Sequence, residues 1–149
     1  MTTFGGLAKK LRKASVAVSR NADQLVKDVA EAVLLNVVSD TPVDKGDARS
    51  NWQVKLDSPA DGIRDAYVSG KKGSTGLENI IASAEMGNKK IQEYAAGQEI
   101  HITNNLDYIS DLNNGASTQA PPGYVQNAVI ESIGLIQRAG FTIMHDIGN

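Results

Sequence analysis

The chain has 149 residues and no cysteine. That excludes disulfides, thiolate metal sites and cysteine nucleophiles at once. It also suits a reducing compartment, so the expectation is a soluble protein made in a cytoplasm. Histidine is nearly missing too. His101 and His145 are far apart, and neither has a second ligand at zinc-finger or HExxH spacing. No window is long and apolar enough to span a bilayer, and the N-terminus lacks the apolar core of a signal peptide, so no membrane partner is expected. Lys and Arg are absent from Ile91 to Gln137, a window that holds Glu93, Glu99, Asp107, Asp111 and Glu131. Gripping phosphate takes cations that displace counterions. The C-terminal half is therefore a poor nucleic-acid grip.

The net charge of -2 hides a partition, since residues 1–30 carry +4 and the rest -6. The cations belong to a long amphipathic helix predicted from Phe4 to Ser39, with Thr2 or Thr3 as N-cap. Leu7, Leu11, Ala14, Val18, Ala22, Leu25, Val29, Ala32 and Asn36 recur at steps of three and four, and Val26, Val33 and Val37 widen the stripe. Pro42 closes the helix. The basic side chains lie mostly off the stripe, which reads as a solvated face rather than a DNA-contacting one.

Trp52, Val54 and Leu56 alternate with Gln53 and Lys55, a half-buried strand ending at Pro59. Trp52 reads as a core residue of that strand. A second strand is EIHITN, with Ile100 and Ile102 on one face and His101 and Thr103 on the other. Between them lies an excursion. Residues 60–76 read as a weak strand or ribbon and then a flexible glycine loop. Leu77 to Ala95 read as a helix on Leu77, Ile80, Ile81, Ala84 and Ile91, interrupted or bent at Gly87 and Asn88. Asp107 to Asn113 fits a short helix, capped by Asn105 or Asp107 and stopped by Gly115 in a left-handed turn. An uncharged loop follows, NNGASTQAPPG. The last helix sets Val125, Val129, Ile133, Ile136 and Gly140 on one face, with Ala128 and Ser132 beside it; the tail continues it or frays. The sum is one α+β domain, residues 1–149: a long N-terminal helix and a C-terminal helix packed on a small antiparallel sheet, with a helical excursion between the strands.

No constellation supports catalysis, a cofactor or a metal. SGKKGSTG has its lysines before the last glycines, the reverse of GxxxxGK[ST], and reads as a solvated loop. Asp107 and Asp111 share a helix face but fit a cap and a dipole-compatible charge. Asp44 and Asp47 flank Gly46 in a turn. There is no GxSxG elbow.

Two segments carry a resemblance. TPVDKGDARSNWQV and NNLDYISDLNNGASTQAPPGYV, in this order, resemble the neck and tail-completion family of tailed bacteriophages, the lambdoid tail-component type. Pro42, Asp44, Gly46, Arg49, Ser50 and Trp52 match the first family motif. Asn104, Asn105, Tyr108, Gly115, Ala120, Pro121, Gly123 and Val125 match the second. Lys45 stands where Thr is usual, Asp107 where Pro is common, and Asn113 and Asn114 where an acidic residue is commoner. The two segments span about a quarter of the chain, while the order of elements matches over nearly all of it.

The resemblance implies a non-enzymatic virion protein, made in the host cytoplasm and resident at the head–tail junction. Copies would form a homo-oligomer, a hexameric ring, between the head connector or stopper and the tail tube, with DNA passing through the bore unread. An acidic, cation-poor bore would repel DNA rather than hold it. Subunit contacts are expected from Asp44, Lys45, Gly46, Asp47 and Arg49, from Tyr108, and from Gly115, Ser117, Gln119, Pro121, Pro122 and Tyr124. The uncharged loop is expected to order against a neighbour, because burying it strands no charge. Two other classes remain open at this level: a nucleic-acid-binding assembly factor using Lys9, Lys10, Arg12 and Lys13, and a small hydrolase using Asp107 and Asp111.

Overall fold

A computed structural model describes residues 4–137, with side chains from residue 22 onward. The Thr2 or Thr3 cap, the first part of the apolar stripe, Gly140, His145 and the tail therefore lie outside the described residues. Helix α1 runs Phe4–Asp40, followed by α2 (Asp47–Ser50), β1 (Gln53–Leu56), α3 (Gly76–Gln92), β2 (Ile100–Thr103), α4 (Ile109–Asn113) and α5 (Tyr124–Ile136). This is an α+β arrangement, with α3 as the excursion between the two strands.

The strands pair antiparallel, with Val54 opposite Ile102 and Leu56 opposite Ile100. That register puts all four apolar residues on one face, as period-two alternation requires. β1 stops at Leu56, short of Pro59, because Asp57 turns left-handed at φ 66°. Its carboxylate then receives the Glu99 N–H and the Gln98 amide, which closes the ribbon.

Helices α1 and α3 cover the apolar face. Leu34, Val37, Val38, Val54 and Ile91 form the centre of the core with Trp52. α3 is unbroken through Gly87, contrary to the interruption expected there. The glycine serves close approach instead: a Cβ would meet Leu34 Cδ2 and lie 2.9 Å from Val54 Cγ2. The buried face of α3 is Asn79, Ser83, Gly87 and Ile91, while Leu77 and Ile81 of the expected stripe are exposed. Small and polar residues face inward because the helix sits against α1, β1 and the polar groups of α2.

The same inversion occurs in α5. Its main packing partner is α1. Its buried residues are Tyr124, Ala128 and Ser132, so Val129 and Ile133 of the expected core face are exposed. Asn36 Nδ2 donates to Ser132 Oγ at 2.9 Å, bridging α1 and α5.

The expected weak strand in residues 60–76 is absent. Side chains from α2, α3 and the turn after α2 meet its backbone in place of a sheet. Asn51 both accepts from Arg64 N and donates to Arg64 O. Asp47 Oδ1 accepts from Ala66 N, and Ser50 Oγ from Tyr67 N. Asn79 takes both polar groups of Val68. At Arg64, Ala66, Tyr67 and Val68 these side chains take the place of a neighbouring strand.

Candidate interface built from two distant segments

Residues 41–50 follow α1 directly. Thr41 is fully buried, its hydroxyl donating to Val37 O at 2.6 Å and accepting from Trp52 Nε1 at 2.8 Å. The Tyr124 hydroxyl lies 3.4 Å from the same oxygen. One threonine thus ties the end of α1, the start of β1 and the start of α5. Arg49 folds back over the end of α1, donating to Thr41 O and Ser39 O. Burial holds its guanidinium below its ordinary pKa, offset by Asp40. Gly46, at φ 103°, is required twice: its backbone is left-handed, and a Cβ would strike Asn79 Nδ2 and lie 3.0 Å from Val68 O.

The second segment comes back to this turn. Gln119 spans the gap, with Oε1 accepting from Val43 N at 3.0 Å and Nε2 donating to Val43 O at 3.1 Å. Ser117 Oγ accepts from Gln119 N. Asn113 accepts at its carbonyl from Gly123 N and at Oδ1 from Val125 N. Gly115 turns at φ 98°, as expected, and a Cβ there would press on Pro122. Asn113 and Gln119 thus tie the loop to its own chain, at Gly123 and Val125 and at Val43.

Two clefts flank the Gln119–Val43 bridge. One, of about 310 Å³, is walled by Asp40, Arg49, Pro121, Tyr124, Asn127 and Glu131. Burial raises the Asp40 pKa, with Glu131 adding and Arg49 opposing. The other, of about 410 Å³, lies among Val43, Asp44, Asp47, Ala48, Tyr108 and Leu112. Tyr108 is 40 % exposed there. Burial raises its hydroxyl pKa, and Asp47, Asp107 and Asp44 raise it further.

Of the expected contact residues, Asp44, Lys45, Tyr108, Pro121 and Pro122 are exposed, and Asp47, Arg49 and Ser117 are half-buried. Gly115 and Gln119 are exposed but shape the loop. Gly46 is buried and Tyr124 is 1 % exposed. Tyr124 is a core residue, not a contact, because α5 turns its small face and this ring toward α1. The expected α4 cap is also absent: Asn105 donates instead to Ala60 O and Gly62 O, and Asp107 is left facing solvent. Sequence reasoning missed the outer face of α5, where Val129, Ile130 and Ile133 are exposed. The signal was present: apolar residues surround that helix, and a helix apolar on all sides is ordinarily buried.

The glycine loop offers no phosphate cradle. The N–H groups of Gly70, Lys71, Lys72 and Gly73 already donate to Lys45 O, Ser74 Oγ, Asp44 Oδ1 and Asp44 O. Among the described residues, no group of three or more His, Asp or Glu could hold a metal ion. His101 Nε2 lies 2.9 Å from Glu99 Oε2 on the polar strand face. No helix of the described residues is long and apolar enough to cross a membrane. No family model, curated protein or solved structure matches the chain.

Proposed function

We propose that the protein is a structural, non-catalytic assembly protein whose copies close into a ring. More particularly, it acts as a neck or tail-completion protein of a tailed phage, joining the head connector or stopper to the tail tube at the head–tail junction of the virion.

The observation that carries this reading is the meeting of the two motif segments. They are separated in sequence by the whole excursion and β2, yet Gln119 and Val43 tie them into one surface with a cleft on either side. A surface whose turns are fixed by hydrogen bonds to each other, with clefts open beside them, suits the docking of another subunit. The outer face of α5 adds support, since Val129, Ile130 and Ile133 stand in water on a helix whose only charge is Glu131. Identical subunits in a ring use one patch against a different patch, and this chain has both kinds. The cation-free window from Ile91 to Gln137 suits a bore that passes DNA without gripping it.

Negative-stain electron microscopy of the full chain tests this reading. Rings with an axial bore and six subunits are expected. Particles that stay monomeric at every concentration would overturn it.

A further inference from the structure

We infer that the apolar groove beside Tyr108 receives the basic N-terminal part of α1 from a second copy of this chain; this rests on the ring reading and assigns its subunit contact. The groove lies among Val43, Ala48, Leu112 and the Tyr108 ring, with Asp44 and Asp47 at its rim. Asp107 also acts on the Tyr108 hydroxyl. Lys45 is the one cation at the rim. Asp44 and Asp47 each commit one oxygen, to Lys72 N and Ala66 N. No ion pair holds Asp44, Asp47 or Asp107 among the described residues.

Charge complementarity identifies the occupant. Residues 1–22 contain Lys9, Lys10, Arg12, Lys13 and Arg20 and no Asp or Glu, so the rest of the chain carries -7 against a total of -2. The same segment repeats Leu7, Leu11, Ala14 and Val18 at helical spacing. A basic amphipathic helix is the complement of an apolar groove with an acidic rim.

Geometry excludes the chain's own N-terminal segment. α1 is one continuous helix from Phe4 to Asp40, and the groove begins at Pro42, just past its end. At about 1.5 Å per residue, Lys9–Lys13 lie about 45 Å along the axis from that groove. The helix cannot fold back onto it, so the contact joins different copies. It is also heterologous, the start of one helix meeting the turn at the end of another, and such contacts propagate to rings or filaments.

The test mixes heavy-isotope and unlabelled full-length chains and treats them with a carbodiimide, which joins amines to carboxylates only in direct contact. Cross-links between a heavy and a light chain are expected from Lys9, Lys10 or Lys13 to Asp44, Asp47 or Asp107. Replacing Asp44, Asp47 and Asp107 together by Asn keeps the hydrogen-bond acceptors and should weaken self-association at least tenfold, with an unchanged circular dichroism spectrum. Rings that form without these cross-links, and that the triple variant leaves intact, overturn the inference while the ring reading stands. Open filaments carrying the cross-links support the inference and overturn the ring. Chains that never associate overturn both.

Discussion

Replacing Asn79 by Ala should detach residues 63–76 from the body of the protein. Asn79 is fully buried on α3. Its Oδ1 accepts from Ser50 Oγ at 2.9 Å and from Val68 N at 3.0 Å. Its Nδ2 donates to Val68 O and to Thr75 O, both at 2.8 Å. A net hydrogen bond contributes about 1 kcal/mol, and a buried group left unpaired costs about 1–3 kcal/mol. Val68 is partly exposed and water can reach it after the change, while Ser50 is fully buried. The expected loss is therefore about 3 kcal/mol, or a fall in Tm of about 6–12 °C for a domain of this size. Urea unfolding followed by circular dichroism reads the first figure and thermal melting the second. Hydrogen exchange should show the Tyr67 and Val68 amides opening before the core. Asn79→Asp keeps the acceptor but places a carboxylate in a dry site, so it should destabilise more at neutral pH than in acid. A loss below about 1 kcal/mol for Asn79→Ala would refute the view that side chains stand in for a strand here.

Three further outcomes follow from the packing. Gly87→Ala should lower stability by about 1 kcal/mol in urea titration, because overpacking against Leu34 and Val54 outweighs the gain in helix propensity; a more stable variant would contradict the close approach. Gln119→Ala should cost about 1 kcal/mol or less, since Val43 is partly open to water, while faster amide exchange at Val43 reports the freed loop. Asp40 has a folded pKa raised above its ordinary 3.8, by burial first and then by Glu131. The folded state thus binds the proton more tightly, and stability falls as pH rises from about 3.8 through the folded value. Asp40→Asn should remove that decline, giving a small gain at neutral pH and none below about 3.5; an unchanged pH profile would count against the partial desolvation of this carboxyl.

Much of the fold was legible. Period two located both strands and even their shared apolar face, because Val54, Leu56, Ile100 and Ile102 have no other way to be buried together. Period 3.6 and Pro42 bounded α1. The faces of α3 and α5 were misread for a common reason. Both sit close to α1, and close approach selects Gly87, Ser83, Ala128 and Ser132 rather than the larger Leu77, Ile81, Val129 and Ile133. A hydrophobic pattern ranks residues by apolarity, whereas interhelical distance ranks them by size. The excursion was opaque because its order depends on Asn51 and Asn79, polar residues whose burial no period announces. Turn chemistry at Gly46 and Gly115 was readable from the sequence. The Gln119–Val43 bridge was not, since nothing in an uncharged loop says which backbone it will meet.

Native mass spectrometry of the full-length chain at tens of micromolar tests the central claim most directly. Each protomer weighs 15.8 kDa, and a closed hexamer gives about 95 kDa. The account predicts that species as the dominant one, dissociating as ionic strength rises and the contacts between acidic groove and basic helix are screened. A spectrum holding only the 15.8 kDa chain, at low and high salt alike, would contradict it.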